Sequence, residues 1–403
     1  MRQGKTKREA GCCHDLPPFM GVTRMSDPMQ PIVRRFEITA GDGLILRGEV
    51  FGDRLWTGTP VICLPGLTRN SRDFHPLAER LASDPDNPRF VMILNSRGRG
   101  PSDYDKNPEN YNIVVEANDA LHALAAAGLH EAVFIGTSRG GLLTMAIAAL
   151  RPTAIAAAVM NDIGPVIDVT GLARIKTYLN RAKPVEDWDD AISFVKIANS
   201  GQFEALSEEN WQQMAQMTFR DDNGKPARDY DIAIAKAMND VDLSIPLPDA
   251  WPQFLAMSHA PVLVLRGAHS DILKAETVRQ MVARHPDCQA HEVPGQGHAP
   301  LFVKDELNDL VATFLAEVDT KRAERTPCAN PAFQTETEIT YLEHPNQPDE
   351  DKIPEATPEE TPPPRELTEE DIRRAKEQKL QDVLDIASEM AAMVEEEKSA
   401  SHR

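Results

Sequence analysis

The chain has 403 residues, of which 41% are hydrophobic and 26% charged, which excludes collagen-like, coiled-coil-only and disulfide-scaffold proteins. Its formal net charge of -20 makes nucleic acids and anionic membrane surfaces unfavourable partners, because like charges repel. The 5 cysteines show no CxxC or Cys/His spacing suited to zinc, so we expect no metal site and a reducing, cytoplasmic location.

The N-terminal segment, residues 1–30, is polar and lacks periodicity, which predicts a disordered leader. It contains no apolar run typical of a signal peptide, and Met25 is an alternative start of translation. The most apolar stretch, Leu142–Met160, is interrupted by Arg151 and Pro152, so we expect no membrane span.

Short apolar runs alternate with longer amphipathic segments between residues 31 and 317. Such runs are typical of strands buried on both faces, and the amphipathic segments of covering helices. The alternation predicts an α/β fold with a mostly parallel central sheet and helices on both faces. The predicted strands are Val33–Thr39, Leu44–Phe51, Pro60–Leu64, Phe90–Leu94, Ala132–Ile135, Ala154–Met160, Val262–Leu265 and Cys288–Val293. The predicted helices are Phe74–Leu81, Val114–Ala127, Gly141–Leu150, Ala275–Ala283 and Glu306–Val318.

The stretch 162–260 carries helical patterns but no recognisable strand. A connection of this length within a compact domain usually has structure and a function. We therefore predict a helical cap at 162–260, inserted between a first core part at 31–161 and a second at 261–317. Some aromatic residues of the cap should line a substrate site while others pack: Tyr178, Trp188, Phe194, Phe203 and Trp211.

The C-terminal extension is acidic and rich in proline. We predict that residues 318–366 form a disordered linker, because they cannot bury enough apolar surface to become ordered. We predict a helix at 367–403, because apolar residues recur there every three or four positions and would form a stripe along one face. This helix is a candidate for binding a protein partner or for self-association, and a solvated tail helix is the alternative.

A G-x-S-x-G motif, Gly136–Gly140, joins a predicted strand to a predicted helix and has Ser138 at its centre. Glycines on both sides of a serine permit a tight turn that exposes the hydroxyl above the sheet. The N-terminus of the following helix stabilises negative charge that develops there. The motif alone is weak, but this context favours a nucleophile over a structural turn.

A nucleophilic serine requires a general base, and the base requires an orienting carboxylate. His298 lies in a glycine-rich loop after the last predicted strand, from which an imidazole can approach the end of the sheet. We favour Asp271 as the acid, because it follows a strand and gives the chain order Ser, Asp, His. Asp162, directly after the preceding strand, is the alternative acid, or else a structural residue where the cap begins.

Acyl transfer also requires N–H groups that bind the oxyanion of the intermediate. One candidate donor is the backbone N–H of Arg139, directly after the proposed nucleophile. The second is the backbone N–H of Leu67, which follows a Pro-Gly pair after the third predicted strand. Gly66 permits the backbone twist that this role requires, and a plain turn is the alternative.

Together these residues resemble the α/β-hydrolase superfamily over about Ile32–Glu317. Leu64–Gly66 stands where many members have His-Gly, and Asn95–Ser102 where many have Asp-x-Arg-Gly-x-Gly-x-Ser. Within the superfamily the chain is similar to capped enol-lactonases, epoxide hydrolases and C–C bond hydrolases. A serine nucleophile argues against epoxide hydrolases and haloalkane dehalogenases, which use an aspartate.

The resemblance implies an α/β-hydrolase fold with a helical cap and no cofactor. It assigns Ser138, Asp271 and His298 the roles of nucleophile, orienting acid and general base. The predicted activity is hydrolysis of a small carboxylic ester, lactone or thioester, a small-molecule acyl substrate, through an acyl-enzyme. One alternative is a C–C bond hydrolase of a vinylogous keto acid with the same triad. The other is a catalytically silent interaction protein.

Arginine side chains are also expected near the predicted site. Arg97 and Arg99 lie in the loop after the fourth predicted strand, and Arg139 follows the proposed nucleophile. They would either hold these loops in place or bind a carboxylated substrate, and the sequence favours the first role.

Overall fold

A central sheet dominates the part of the chain that the computed structural model describes, residues 33–181, 185–204, 206–239, 243 and 247–325. The strands are β1 (Val33–Thr39), β2 (Ile45–Phe51), β3 (Val61–Leu64), β4 (Val91–Leu94), β5 (Ala132–Thr137), β6 (Ile155–Asn161), β7 (Phe219–Asp222), β8 (Lys225–Arg228), β9 (Val262–Gly267) and β10 (Cys288–Val293). Eight of them form the sheet in the order β1-β2-β4-β3-β5-β6-β9-β10. The pairs β1–β2 and β2–β4 are antiparallel, and the other neighbours are parallel.

Helices cover both faces of this sheet and also form much of the connection between β6 and β9. In chain order they are α1 (His75–Ala82), α2 (Ile113–Ala126), α3 (Arg139–Leu150), α4 (Val169–Arg181), α5 (Trp188–Ala198), α6 (Glu208–Thr218), α7 (Ala233–Asn239), α8 (Trp251–Leu255), α9 (Ala275–Arg284) and α10 (Asp305–Arg325). Side chains of β3 alternate between two cores: Ile62 packs with α2 and α3, whereas Val61 packs with α1 and α10. Burial on both faces explains the continuous apolar runs, and the predicted mostly parallel α/β-hydrolase fold is confirmed.

The connection between β6 and β9 contains α4 to α8 and the two-stranded hairpin β7–β8. The expectation of an insertion without strands was therefore wrong. The hairpin turns at Asn223 and Gly224, which have φ angles of 56° and 87°. An Asn-Gly pair is the common signal for such a turn. Because five of the eight strand residues are charged, the strands lack the apolar alternation on which the prediction depended.

The last described helix, α10, extends to Arg325 and so enters the segment predicted as a linker from residue 318. Val318 is buried in the core, and Asp319 accepts a hydrogen bond from the Thr59 hydroxyl at 2.5 Å. Asp319 also forms an ion pair of 2.6 Å with Arg89. These contacts fix a helical turn whose polar sequence suggested disorder.

Other predictions for the termini fall on residues that the structure does not describe. These are the leader at 1–30, the remaining linker at 326–366 and the C-terminal helix at 367–403. Among the described helices, none combines the length and the apolar character that crossing a bilayer requires.

Candidate active site

Ser138 occupies a sharp turn between β5 and α3, with φ 51° and ψ -113°. This turn requires glycine on both sides. A Cβ atom on Gly136 would lie 2.4 Å from the carbonyl carbon of Gly140, and one on Gly140 would lie 1.9 Å from the Leu64 oxygen. The backbone of this strained turn therefore presents the serine side chain at the carboxyl end of the sheet, as the motif predicts.

A chain of hydrogen bonds joins Ser138, His298 and Asp162. The Ser138 hydroxyl lies 2.8 Å from His298 Nε2, and His298 Nδ1 lies 2.8 Å from Asp162 Oδ2. The side chain of Asp162 is fully buried and that of His298 is 7% exposed. With the imidazole donating from Nδ1 to the carboxylate, Nε2 is free to accept the serine proton.

The acid in this chain is Asp162, not the favoured Asp271. Asp162 directly follows β6, the neighbour of β5 in the sheet. Its carboxylate accepts hydrogen bonds from the Gly267 N–H at 2.8 Å and the Ser270 hydroxyl at 2.5 Å, besides the contact with His298. Three donors at the ends of two neighbouring strands therefore orient this carboxylate.

Asp271 lies elsewhere, against the insertion. Its two carboxylate oxygens accept hydrogen bonds from Arg174 of α4 at 2.6 and 3.0 Å. The loop after β9 therefore contributes the Ser270 hydroxyl to Asp162, while the next residue turns toward α4. The carboxylate that contacts His298 is therefore that of Asp162, the alternative acid of the sequence analysis, and not that of the favoured Asp271.

The loop that carries His298 is tied to the insertion through Gln202. The side-chain oxygen of Gln202 accepts the backbone N–H of His298 at 3.0 Å. Gln202 is 7% exposed, and a Cβ atom on Gly297 would lie 2.3 Å from the same oxygen. Sequence reasoning missed Gln202, because a single glutamine between two helices carries no periodic or motif signal.

The buried carboxylate of Glu116 connects the beginning of α3 with Arg99, which in turn binds the loop containing Leu67. Arg99 donates from Nε to the Leu67 carbonyl and from Nη1 to Glu116, both at 2.8 Å. Glu116 also accepts two hydrogen bonds from Arg139, at 2.8 and 2.9 Å. Burial raises the pKa of Glu116, but the two guanidiniums outweigh it and leave the pKa below its usual value.

Arg97, the third arginine expected near the predicted site, is also held by an ion pair. Arg97 donates from Nε and Nη2 to Asp119, each at 2.8 Å, and its side chain is buried. Neither Arg97 nor Arg99 nor Arg139 is among the described residues that line the cavity at Ser138. The arginines singled out in the sequence therefore hold loops together.

A cavity of about 370 Å³ opens beside Ser138 and His298, and most of its wall is contributed by the insertion. Gly66 and Leu67 line it on the side of the sheet. Three of the cap aromatic residues line it, namely Tyr178, Phe194 and Phe203, whereas Trp188 and Trp211 are not among its lining residues. Both tryptophans pack in the insertion's own apolar cluster, to which Phe194 and Phe203 also belong. The cavity therefore leaves space for a small group next to the serine hydroxyl.

Thiols and metal ligands offer no competing chemistry among the described residues. Cys63 is fully buried, and burial raises the pKa of its thiol far above the usual range. Burial likewise raises the pKa of Cys288 to about 12. In the described ranges no group of three or more His, Cys, Asp or Glu side chains is arranged to hold a metal ion.

Comparison with known proteins agrees with this architecture. The sequence profile of the α/β hydrolase fold family matches residues 59–305, more than half of the chain. The chain therefore belongs to the α/β-hydrolase family. A crystal structure of an α/β hydrolase from Novosphingobium aromaticivorans is 38% identical, with a TM-score of 0.65, covering 70% of this chain and 98% of that one.

Two curated relatives are named hydrolases. The chain is 29% identical over 254 residues to the 3-hydroxybutyrate-oligomer hydrolase of Cupriavidus necator, covering 60% of this chain and 83% of that protein. It is 25% identical over 254 residues to the 2-(acetamidomethylene)succinate hydrolase of Mesorhizobium japonicum, covering 62% and 85%. The chain is accordingly an enzyme of the hydrolase class.

Proposed function

We propose that the protein is a serine hydrolase that cleaves a small carboxylic ester through a Ser138–His298–Asp162 triad. The observation that carries this proposal is the unbroken series of hydrogen bonds from the serine hydroxyl to the buried carboxylate, next to a cavity. A buried Asp–His–Ser series is the arrangement that activates a serine at neutral pH.

The mechanism follows from this geometry. His298 accepts the hydroxyl proton of Ser138 while Ser138 Oγ attacks the acyl carbonyl. The backbone N–H groups of Leu67 and Arg139 bind the oxyanion that forms. The imidazolium, hydrogen-bonded to the Asp162 side chain, then protonates the leaving alkoxide. Water enters, His298 removes its proton, and attack on the acyl-enzyme releases the acid and restores the serine.

The substrates to test first are short linear oligoesters of 3-hydroxybutyrate. One relative is named for such oligomers, and the predominantly apolar cavity of about 370 Å³ suits short acyl groups with methyl branches. Lactones and thioesters undergo the same attack and belong to the same panel. Nothing in the described site favours C–C bond cleavage, and we do not propose it.

The sequence-based predictions of a cytoplasmic location and of a role for the C-terminal helix remain predictions. That helix, at 367–403, is still a candidate for binding a protein partner or for self-association. Neither prediction enters the catalytic proposal.

Labelling with a fluorophosphonate, detected by intact mass, tests the proposal. We expect a single adduct on the wild type, none on Ser138→Ala and strongly slowed labelling on His298→Ala. Ser258→Ala, which removes an exposed hydroxyl, is the matched control and should label like the wild type. Folded wild type that neither labels nor hydrolyses any ester, lactone or thioester of the panel would contradict the proposal.

A further inference from the structure

Three guanidinium groups line the cavity beside Ser138, and two of them are neutralised by carboxylates. Arg69 donates to both oxygens of Asp73, at 2.5 and 2.8 Å. Arg174 is paired in the same bidentate manner with Asp271. These two arginines therefore already have the partner that a substrate carboxylate would replace.

Arg228, on β8, is different. It is half-buried, lines the cavity and lies over the ring of Tyr230, with the guanidinium carbon 5.5 Å from the ring centroid. Within the described ranges no carboxylate forms an ion pair with it, in contrast to Arg69 and Arg174. One positive charge of the cavity wall is therefore left without a compensating anion among these residues.

Two phenol groups accompany this charge. Tyr178 and Tyr230 both line the cavity, and Tyr230 is only 9% exposed. Burial raises the pKa of Tyr230, so its hydroxyl stays protonated at neutral pH. A guanidinium beside neutral hydroxyl donors is a suitable environment for a carboxylate, which accepts several hydrogen bonds.

We propose that Arg228, assisted by Tyr178 and Tyr230, binds a free carboxylate of the substrate. The preferred ester then carries an anionic end, as a short linear hydroxy-acid oligoester does. This inference rests on the proposed function, because Ser138 and Arg228 line one cavity. An ion pair at an apolar, partly desolvated wall is stronger than one in water, so it can discriminate between a charged and a capped substrate.

The test compares the linear dimer of 3-hydroxybutyrate with its methyl ester, which has the same internal ester bond but no carboxylate. The kcat/KM for cleavage of that bond is measured by product quantitation at neutral pH for wild type, Arg228→Gln and Arg228→Lys. Lys225→Gln is the matched control, since it removes one positive charge from an exposed position on the same strand.

We expect the wild type to prefer the free acid, and Arg228→Gln to lower the acid-to-methyl-ester ratio of kcat/KM by about 10- to 100-fold, mainly through KM. Arg228→Lys should retain part of the preference, because it keeps the charge but loses the planar fork. Lys225→Gln should behave like the wild type. Inhibition of methyl ester cleavage by free 3-hydroxybutyrate should weaken in Arg228→Gln as well.

Two negative results are distinguishable. The proposed carboxylate site is wrong if the wild type cleaves the methyl ester and the free acid with equal kcat/KM, or if Arg228→Gln keeps the wild-type ratio. In either case the proposal of an ester hydrolase is unaffected. If the wild type cleaves neither compound and Ser138 does not label with a fluorophosphonate, the proposed function fails and this inference with it. Melting curves of the variants exclude loss of the fold as the cause.

Discussion

The buried Glu116 and the partly buried Arg139 form a bidentate ion pair directly beside the candidate nucleophile, with oxygen–nitrogen distances of 2.8 and 2.9 Å. The same carboxylate accepts a hydrogen bond from Arg99, which also donates to the carbonyl of Leu67. The two backbone segments that we propose as oxyanion donors are therefore connected through the Glu116 carboxylate and the two arginines that pair with it. Such a connection keeps donors fixed while negative charge develops, which is the basis of electrostatic preorganisation.

Replacing Glu116 should therefore weaken both the fold and the reaction. Glu116→Gln leaves the buried Arg99 and the partly buried Arg139 short of a counter-charge, and we expect the free energy of unfolding to fall by about 3 kcal/mol. The kcat for ester hydrolysis should fall by about tenfold or more as the oxyanion donors lose their common support. Urea unfolding and steady-state kinetics measure the two effects. Glu109→Gln, at an exposed position before α2, should change neither.

The Glu116 effect should also depend on pH in a defined direction. Its pKa is lowered in the folded protein, so the unfolded chain binds the proton more tightly. The stabilisation is therefore fully present above about pH 4.3, the unfolded value, and is lost as the pH falls through the folded pKa. The Tm difference between wild type and Glu116→Gln should shrink below about pH 4. A constant difference would mean that the pKa of Glu116 is the same in the folded and the unfolded chain.

Gln202 provides a test of the contact between the insertion and the base. In Gln202→Ala the backbone N–H of His298 loses its acceptor, so the imidazole is held less firmly relative to Ser138. Because small displacements of catalytic groups are costly, we expect kcat to fall by about tenfold, with a smaller change in KM. Gln212→Ala, at an exposed position on α6, is the control. Wild-type kcat in Gln202→Ala would show that this hydrogen bond does not position His298.

Asp319 tests the extended end of α10. Asp319→Asn removes the counter-charge of Arg89, whose side chain is 2% exposed, so we expect a loss of about 2 to 3 kcal/mol in the free energy of unfolding. Glu317→Gln, exposed on the same helix, should remain within about 0.5 kcal/mol of the wild type. Equal stabilities of the two variants in urea unfolding would contradict an ordered role for residues after 317.

Much of the sheet was predictable from the sequence, because strands such as β3 and β6 are buried on both faces and read as continuous apolar runs. The hairpin β7–β8 was not, since its short strands are rich in charged residues and carry no apolar alternation. The end of α10 was missed for a related reason. Its last turns are held by ion pairs with residues distant in the chain, such as Lys321 with Asp287, which no local pattern reveals.

The candidate site was predictable only where local geometry determines the role. Ser138 was recognisable, because the glycine spacing itself produces the strained turn. The acid was not, since Asp162 and Asp271 both follow a strand and only tertiary contacts separate them. Arg228 was not recognised either, because its proposed role depends on the absence of an ion-pair partner among the described residues, which only the tertiary structure shows. Arg97, by contrast, was noticed because of its motif, although the structure shows it paired with Asp119.

The identity of the acid is the most direct test of the proposed triad, and it is measured by comparing the kcat of Asp162→Asn and Asp271→Asn on one activated ester. We predict a loss of about a thousandfold or more for Asp162→Asn, because an asparagine no longer orients His298 or stabilises its charged form. Asp271→Asn should change kcat by at most about fivefold, the effect of a partly exposed ion pair. The reverse order, with Asp271→Asn inactive and Asp162→Asn near wild type, would contradict the triad proposed for this enzyme.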